Sequence, residues 1–478
     1  MNSPRPANED SALNIVFLMA DQLRADFLSC YGADFIHTPH IDSLANEGVR
    51  YRRAVAPSPV CVPSRASLLT GDNAIRNGVL DNEHWLHPSP ESRARDTWPQ
   101  LLTARGYHTE AIGKMHFTPW DASEGFQHRI IAEDKRHIDI DDDYQAYLHR
   151  HGYRKYHGNE HEGYFDNKGA ITSLIPAEHQ VDVWTAARTC AFLDEYDAQA
   201  PFALMVGFPG PHCPYDPPAD LVDLFDEESM PASIGATVDS DAFRQWMIDG
   251  NKRPWNQVDY SLFEEHHKRK LRVHYAALVH QIDSCVGRIV ESLERNGLAE
   301  STVIIFCSDH GDLLGDFDLI GKQLFYEPST RVPLIIRHPG AEEGRVVQQT
   351  VSLTDLNSTI LAIAGVPAHL TSDSLPLPGA VPGRSDGEAA GMSRDRVFGV
   401  SALGSMLTDD RWKLCKYRNG AVHLFDLEVD PLEQRNLAAD PEHRARLSEL
   451  DAVMFERLLT SVAAAFGDQR ATPSVADR

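Results

Sequence analysis

The chain has 478 residues, enough for a large core and two or three structural units, and sets 45 Lys+Arg against 70 Asp+Glu for a formal net charge of −25. That balance excludes a nucleic acid or an anionic membrane as the main partner, and an anionic substrate would have to be met by local cations or a metal. Seven cysteines, at 30, 61, 190, 213, 285, 307 and 415, form no CxxC pair and no visible disulfide framework, which points to a reducing compartment.

Residues 1–13, within MNSPRPANEDSALN, are polar and read as a disordered lead rather than a signal peptide. No apolar run approaches the roughly 18–20 residues needed to cross a bilayer. A cytoplasmic protein with no membrane partner is expected. The first element is NIVFLMAD (14–21), whose six apolar or small residues from Ile15 suit a strand buried on both faces of a parallel sheet. It ends in Asp21 and Gln22. TPHIDSLANEG (38–48) predicts a helix with Pro39 early and Gly48 as its stop.

VCVPSRASLLTG (60–71) raises a sharper question. Pro63 is tolerated in a first helical turn, so Cys61 sits beside a helix N-terminus, where free amides and partial positive charge favour anions. A buried structural thiol is the ordinary reading of such a cysteine, and a nucleophile is the alternative.

WPQLLTARG (98–106) predicts a helix, and YHTEAIGKMH (107–116) a short strand with Lys114 and His116 at its end. Residues 128–165 are crowded with His and Asp without metal-ligand spacing, so a solvated insertion near the pocket is the preferred reading over a metal tract. VWTAARTCAFLDEY (183–196) is an amphipathic helix and FALMVGF (202–208) an apolar strand running into a Pro-rich loop with His212. Residues 274–297 give the longest helix signal, stopped by Gly297. TVIIFCSDHG (302–311) is a second buried strand, ending in Asp309 and His310. VPLIIRHPG (332–340) adds a strand, and 351–365 a strand-to-helix passage.

The alternation implies an α/β fold built on a doubly wound, mixed or mostly parallel sheet over 14–365. Residues 366–395, rich in Pro, Gly and Ser, read as a connector, and 396–478 as a smaller C-terminal α+β unit with a frayed tail.

In open α/β sheets the functional crevice lies at the carboxyl ends of strands. Asp21, Gln22, Asp309, His310, Lys114, His116 and His212 all follow predicted strands on that side, and Lys322 lies in LIGKQLFYEPS. Two carboxylates, an amide oxygen and an imidazole can hold a divalent cation: Ca²⁺ or Mg²⁺ by hardness, with Mn²⁺ open because of the histidine. The lysines would add charge for a tetrahedral anion, and the histidines proton transfer. A thiolate is a poor donor for such an ion, and on residues alone Cys61 stays unassigned.

Cys61-Val62-Pro63-Ser64-Arg65, followed by ASLLTG, resembles the C-x-P-S-R signature of the sulfatase family in the alkaline-phosphatase superfamily. The resemblance spans nearly the whole chain. It takes in Asp21-Gln22, Thr38-Pro39, Gly113-Lys114-Met115-His116, Pro211-His212, Ser308-Asp309-His310-Gly311, Gly321-Lys322 and FDLEVDPLEQRNLA (425–438). It implies an alkaline-phosphatase-like fold and conversion of Cys61 to formylglycine by a formylglycine-generating enzyme. It also implies one divalent cation, first of all Ca²⁺, held by Asp21, Asp309, His310 and a hydroxyl of modified Cys61, with Gln22 a further ligand. The implied activity is hydrolysis of a small sulfate ester, releasing sulfate and an alcohol or phenol, as in arylsulfatases.

The implied roles are these: Arg65 and Lys114 steady the hydrate and the anion, and Lys322 and His212 hold the sulfuryl oxygens and assist the leaving alcohol. His116 takes a proton from the second hydroxyl, and Asn82 is a pocket amide. Many sulfatases have Asp-Asp where this chain has Asp21-Gln22. Phosphonate monoester hydrolases also carry Asp-Gln but lack the Lys114-x-His116 pair, whereas choline sulfatases share both. A sulfate ester is therefore the first reading, and a phosphonate monoester or phosphodiester the second. A non-catalytic binding protein with unmodified Cys61 is the third. The sequence is silent on the leaving group and on oligomeric state, with a homo-oligomer compatible.

Overall fold

The structure, a computed structural model, describes residues 12–87, 95–197, 200–369, 372–382 and 394–468. Most of the polar lead, the end of the tail and parts of the connector lie outside the described residues. The main sheet contains β1 (Asn14–Asp21), β2 (Val49–Tyr51), β4 (His108–Gly113), β5 (His128–Ile131), β6 (Phe202–Pro211), β7 (Thr302–Ser308), β9 (Leu334–Arg337) and β10 (Arg345–Val347). Its strand order is β10-β2-β9-β7-β1-β6-β4-β5. The five strands from β7 to β5 are mutually parallel, and β9 runs antiparallel to both β7 and β2, so the sheet is mixed.

The apolar runs are continuous because helices cover both faces. Along β1, Val16, Leu18 and Ala20 face one core with the long helix Glu265–Arg295. Ile15, Phe17 and Met19 face the other, with the helices Cys61–Thr70, Trp98–Ala104 and Leu356–Ile363. This is the period-two division of a strand buried on both sides.

A three-stranded sheet joins β3 (Ala54–Val55), β8 (Arg331–Val332) and β11 (Val351–Ser352) beside the main one. The C-terminal unit is an antiparallel meander of β12 (Val397–Ser401), β13 (Gly404–Thr408), β14 (Trp412–Tyr417) and β15 (Val422–Asp426), backed by the helix Arg444–Asp468. Leu450 and Met454 of that helix pack on Leu407, Leu414 and Leu424. Lys413 of β14 is fully buried between Glu327 (2.8 Å) and Glu433 (2.9 Å).

Two differences from the sequence reading have local causes. The long helix starts at Glu265, nine residues before the apolar pattern shows it, because its first turns (EHHKRK) carry mainly polar side chains. The insertion 128–165 is not simply solvated: it forms edge strand β5 and the helix Asp143–Arg150, and Glu133 and Asp134 between them are buried. Asp134 is drawn inward by Lys114 and Arg136 of the crevice described next, and Glu133 accepts from the His116 backbone amide.

Candidate active site

Four adjacent parallel strands end at one edge of the sheet, each delivering a polar residue. Register pairs Gly113 with Gly207 and Ala20 with Ser308, and a bulge after Ala20 pairs Asp21 with Pro211. Asp21, Lys114, His212 and Asp309 therefore emerge side by side. Glycines permit this closeness: a Cβ on Gly207 would stand 2.0 Å from the Lys114 carbonyl oxygen, and one on Gly113, at φ +90°, 2.1 Å from that of Gly207.

The helix Cys61–Thr70 is buried along its whole length and brings its N-terminus to the same edge. Ser64 Oγ donates to the Asp309 carbonyl (2.6 Å) and anchors its first turn. Asp21, Cys61, Asp309 and His310 each offer one ligand atom, all within 4.8 Å of one another. The His310 imidazole is set for coordination: Nδ1 lies 2.9 Å from the Gly311 carbonyl, which fixes the proton there and leaves the Nε2 lone pair facing the Cys61 sulfur at 3.2 Å. Two buried carboxylates and an imidazole lone pair are a donor set that a divalent cation fits.

Cations lie behind and beside this cluster. Arg65 Nε is 2.9 Å from Asp309 Oδ2, one terminal nitrogen is 3.3 Å from Asp21 Oδ2, and the other donates to the Lys114 carbonyl at 2.8 Å. Arg65 thus faces the carboxylates rather than a substrate. Lys114 Nζ bridges Asp21 (2.7 Å) and Asp134 (2.8 Å). Burial and the Cys61 sulfur push Asp21 up, and Lys114, His212 and Lys322 outweigh them, so it stays well below the usual carboxylate range.

Lys322 Nζ sits 2.9 Å from the Cys61 sulfur, 2.8 Å from Gln22 Oε1 and 2.8 Å from His212 Nε2. Burial raises the Cys61 thiol, but the Lys322 ammonium outweighs it and brings it well below its ordinary value. The pocket at position 61 is built for an anion. His212 donates from Nδ1 to the Cys213 carbonyl (2.8 Å), and burial with Lys322 and Arg136 pushes it down to about 3. His116, at φ 59°, keeps its Nδ1 buried without a hydrogen-bond partner among the described residues.

The family model for Sulfatase matches residues 13–366. The chain belongs to the sulfatase family. It is an enzyme of the sulfuric ester hydrolase class. It is 28% identical to an arylsulfatase of Clostridium perfringens, over 93% of this chain and 94% of that one. It is 30% identical to a choline-sulfatase of Rhizobium meliloti, over 90% and 83%. The phosphonate monoester hydrolase of Agrobacterium radiobacter shares its fold, with TM-score 0.79 at 23% identity over 95% and 96% of the two chains. The alkaline-phosphatase-like mixed α/β architecture read from the sequence is thereby established, and so is the family. Among the described residues no helix of this sulfatase is long and apolar enough to cross a membrane.

Asn82, expected as a pocket amide, lies beside position 61. Asn82 is exposed, and its Oδ1 accepts from the Val62 amide at 3.1 Å. That bond satisfies an orphan amide in the first turn of the Cys61 helix. Sequence reasoning missed Asp134 and Arg136. Asp134 accepts from Arg136 through both oxygens (2.8 and 2.7 Å), and Arg136 reaches within 3.4 Å of His212 Nε2. They lie in an acidic, His-rich stretch with no spacing signal, and only their tertiary partners single them out.

Proposed function

We propose that this sulfatase hydrolyses sulfate monoesters, using position 61, converted from cysteine to formylglycine, as nucleophile beside one divalent cation. The observation that carries the reading is the Cys61 sulfur, which lies where the carboxylates, the His310 lone pair and the Lys322 ammonium converge. The sulfur stands in for a hydroxyl oxygen of the formylglycine hydrate. Asp21, Asp309, His310 and that oxygen would hold the ion, with the amide oxygen of Gln22 beside them. When bound, the ion (Ca²⁺ by preference for oxygen donors, Mn²⁺ or Mg²⁺ as alternatives) supplies Lewis acidity, and the hydrate supplies one hydroxyl for attack and a second for release.

The remaining work falls to side chains. Lys322 presents its ammonium to the ester oxygens at the sulfur's position, and Gln22 Oε1 and His212 Nε2 accept from it and orient it. Neutral His212 has no proton on the nitrogen facing the pocket, so the proton for the departing alcohol comes from Lys322. His116, whose buried Nδ1 has no hydrogen-bond partner among the described residues, is assigned to accept the hydroxyl proton. Arg65 and Lys114 fix the carboxylates from behind.

Cys61→Ala should abolish turnover of an aryl sulfate in a folded protein; retained turnover contradicts the assigned nucleophile. Gln22 favours a second reading, since a neutral amide in place of a carboxylate lowers the negative charge around the ion, as in phosphonate monoester hydrolases. Paired assays decide between them: faster turnover of a phenylphosphonate ester than of the matching aryl sulfate would replace the first reading with the second.

A further inference from the structure

Gln22 is held at every polar atom. Its backbone is left-handed, with φ 71°, an uncommon conformation for a residue with a side chain. Its N–H donates to Asp309 Oδ1 (3.0 Å) and its carbonyl accepts from the Tyr275 hydroxyl (2.6 Å). The side-chain amide bridges two groups of opposite character. Nε2 donates to Asp312 Oδ2 at 2.5 Å, and Oε1 accepts from Lys322 Nζ at 2.8 Å. A carboxylate cannot donate and an ammonium cannot accept, so both neighbours dictate the same orientation of the amide.

Asp312 is fully buried, and among the described residues its carboxylate accepts four hydrogen bonds, none from a cation. Beside Gln22, Oδ2 takes the Tyr215 hydroxyl at 2.6 Å. Oδ1 takes the backbone amides of Leu314 (2.9 Å) and Gly321 (3.0 Å). Gly321 directly precedes Lys322, so one carboxylate grips the amide of Gln22 with one oxygen and the Lys322 loop with the other.

We propose that Asp312 is a positioning residue that keys Gln22, so that the amide oxygen rather than the NH₂ faces Lys322 and the Asp21–Cys61–Asp309–His310 cluster. The inference rests on the reading that a divalent cation occupies that cluster. It accounts for the neutral residue at position 22, because an acid of the same length would set carboxylate against carboxylate. The negative charge missing at position 22 stands one bond further out, on Asp312.

In Asp312→Asn, Oδ1 must still accept from Leu314 and Gly321, so the new NH₂ faces Gln22 and turns its amide round. In Gln22→Glu, two carboxylates meet. In the double variant, the introduced amide at position 312 donates to the introduced carboxylate at position 22, whose other oxygen faces Lys322 again.

The test is Mn²⁺ titrated calorimetrically into the metal-stripped full-length protein, with thermal melts to establish folding. Each single variant should weaken Mn²⁺ binding about 10- to 100-fold, the range for groups that orient metal ligands. The double variant should recover most of it, a coupling that a merely structural role for Asp312 would not produce. Tyr215→Phe, which keeps the Gln22–Asp312 bond, should change affinity by less than about threefold. Additive losses, or no loss in the single variants, overturn the proposal. Should Asp312→Asn fail to fold, Gln22→Glu still decides, since unchanged or tighter Mn²⁺ binding by that more acidic variant also overturns it. A wild-type protein that binds no divalent ion overturns the metal reading itself, and this inference with it.

Discussion

Replacing Lys114 with Met tests how the crevice keeps its carboxylates ionised. The lysine is fully buried, 2.7 Å from Asp21 and 2.8 Å from Asp134. Burial alone pushes Lys114 down, and Asp134 and Asp21 outweigh it and raise the ammonium above its ordinary 10.5. Methionine keeps the apolar length of the side chain and removes the charge. Breaking a buried pair costs about 3–5 kcal/mol. Asp21 keeps Arg65 and Asp134 keeps Arg136, so the lower end, about 3 kcal/mol, applies.

An unfolding entropy of about 2.1 cal/mol/K per residue gives roughly 1 kcal/mol/K over this chain, so Tm should fall by about 3 °C. The sign of the pH dependence follows from both partners. The raised Lys114 contributes fully below 10.5 and is lost only as pH rises through its folded value. The lowered Asp21 and Asp134 contribute above 3.8 and are lost as pH falls through their folded values. The deficit should therefore be flat across neutral pH and shrink in acid. Calorimetry of metal-stripped wild type and Lys114→Met across pH reads it. A Tm drop below about 1 °C at neutral pH, or a deficit that grows in acid, would refute the reasoning.

Burial lifts Asp182 to about 6, against the pull of the Gly210 amide and Lys135. Its folded value lies above its ordinary 3.8, so the penalty is full above about 6 and gone below 3.8; Asp182→Asn should raise Tm at pH 8 and leave it unchanged in acid, by calorimetry. Gly207→Ala should lower soluble yield and Tm sharply, because its methyl would overlap the Lys114 carbonyl at 2.0 Å, and a near-wild-type melt would contradict the strand contact. His212→Asn should lower kcat without moving the acid limb of the kcat/KM profile between about pH 5 and 8, because His212 is neutral throughout; a shifted limb would mean that it titrates there.

The buried strands were legible because β1, β6 and β7 are unbroken apolar runs, and the polar residues at their ends follow from the strand-end rule. Charge hid the first turns of the helix Glu265–Arg295, and polarity hid the inward turn of Asp134, which pairs with Lys114 from a different strand as well as with its neighbour Arg136. Asp312 follows the Asp309-His310-Gly311 motif, yet its importance lies in partners at 22, 215 and 321, which no local pattern announces. Arg65, expected to steady the hydrate and the anion, has its guanidinium on the Asp309 and Asp21 carboxylates, because a signature gives a residue's identity and leaves the direction of its side chain open.

Mass spectrometry of the peptide containing position 61, taken from protein that turns over an aryl sulfate, tests the central claim most directly. The account predicts the mass of an aldehyde, with –CHO in place of –CH₂SH, in a fraction that rises in proportion to specific activity across preparations. Full activity in protein whose Cys61 is wholly thiol would contradict it.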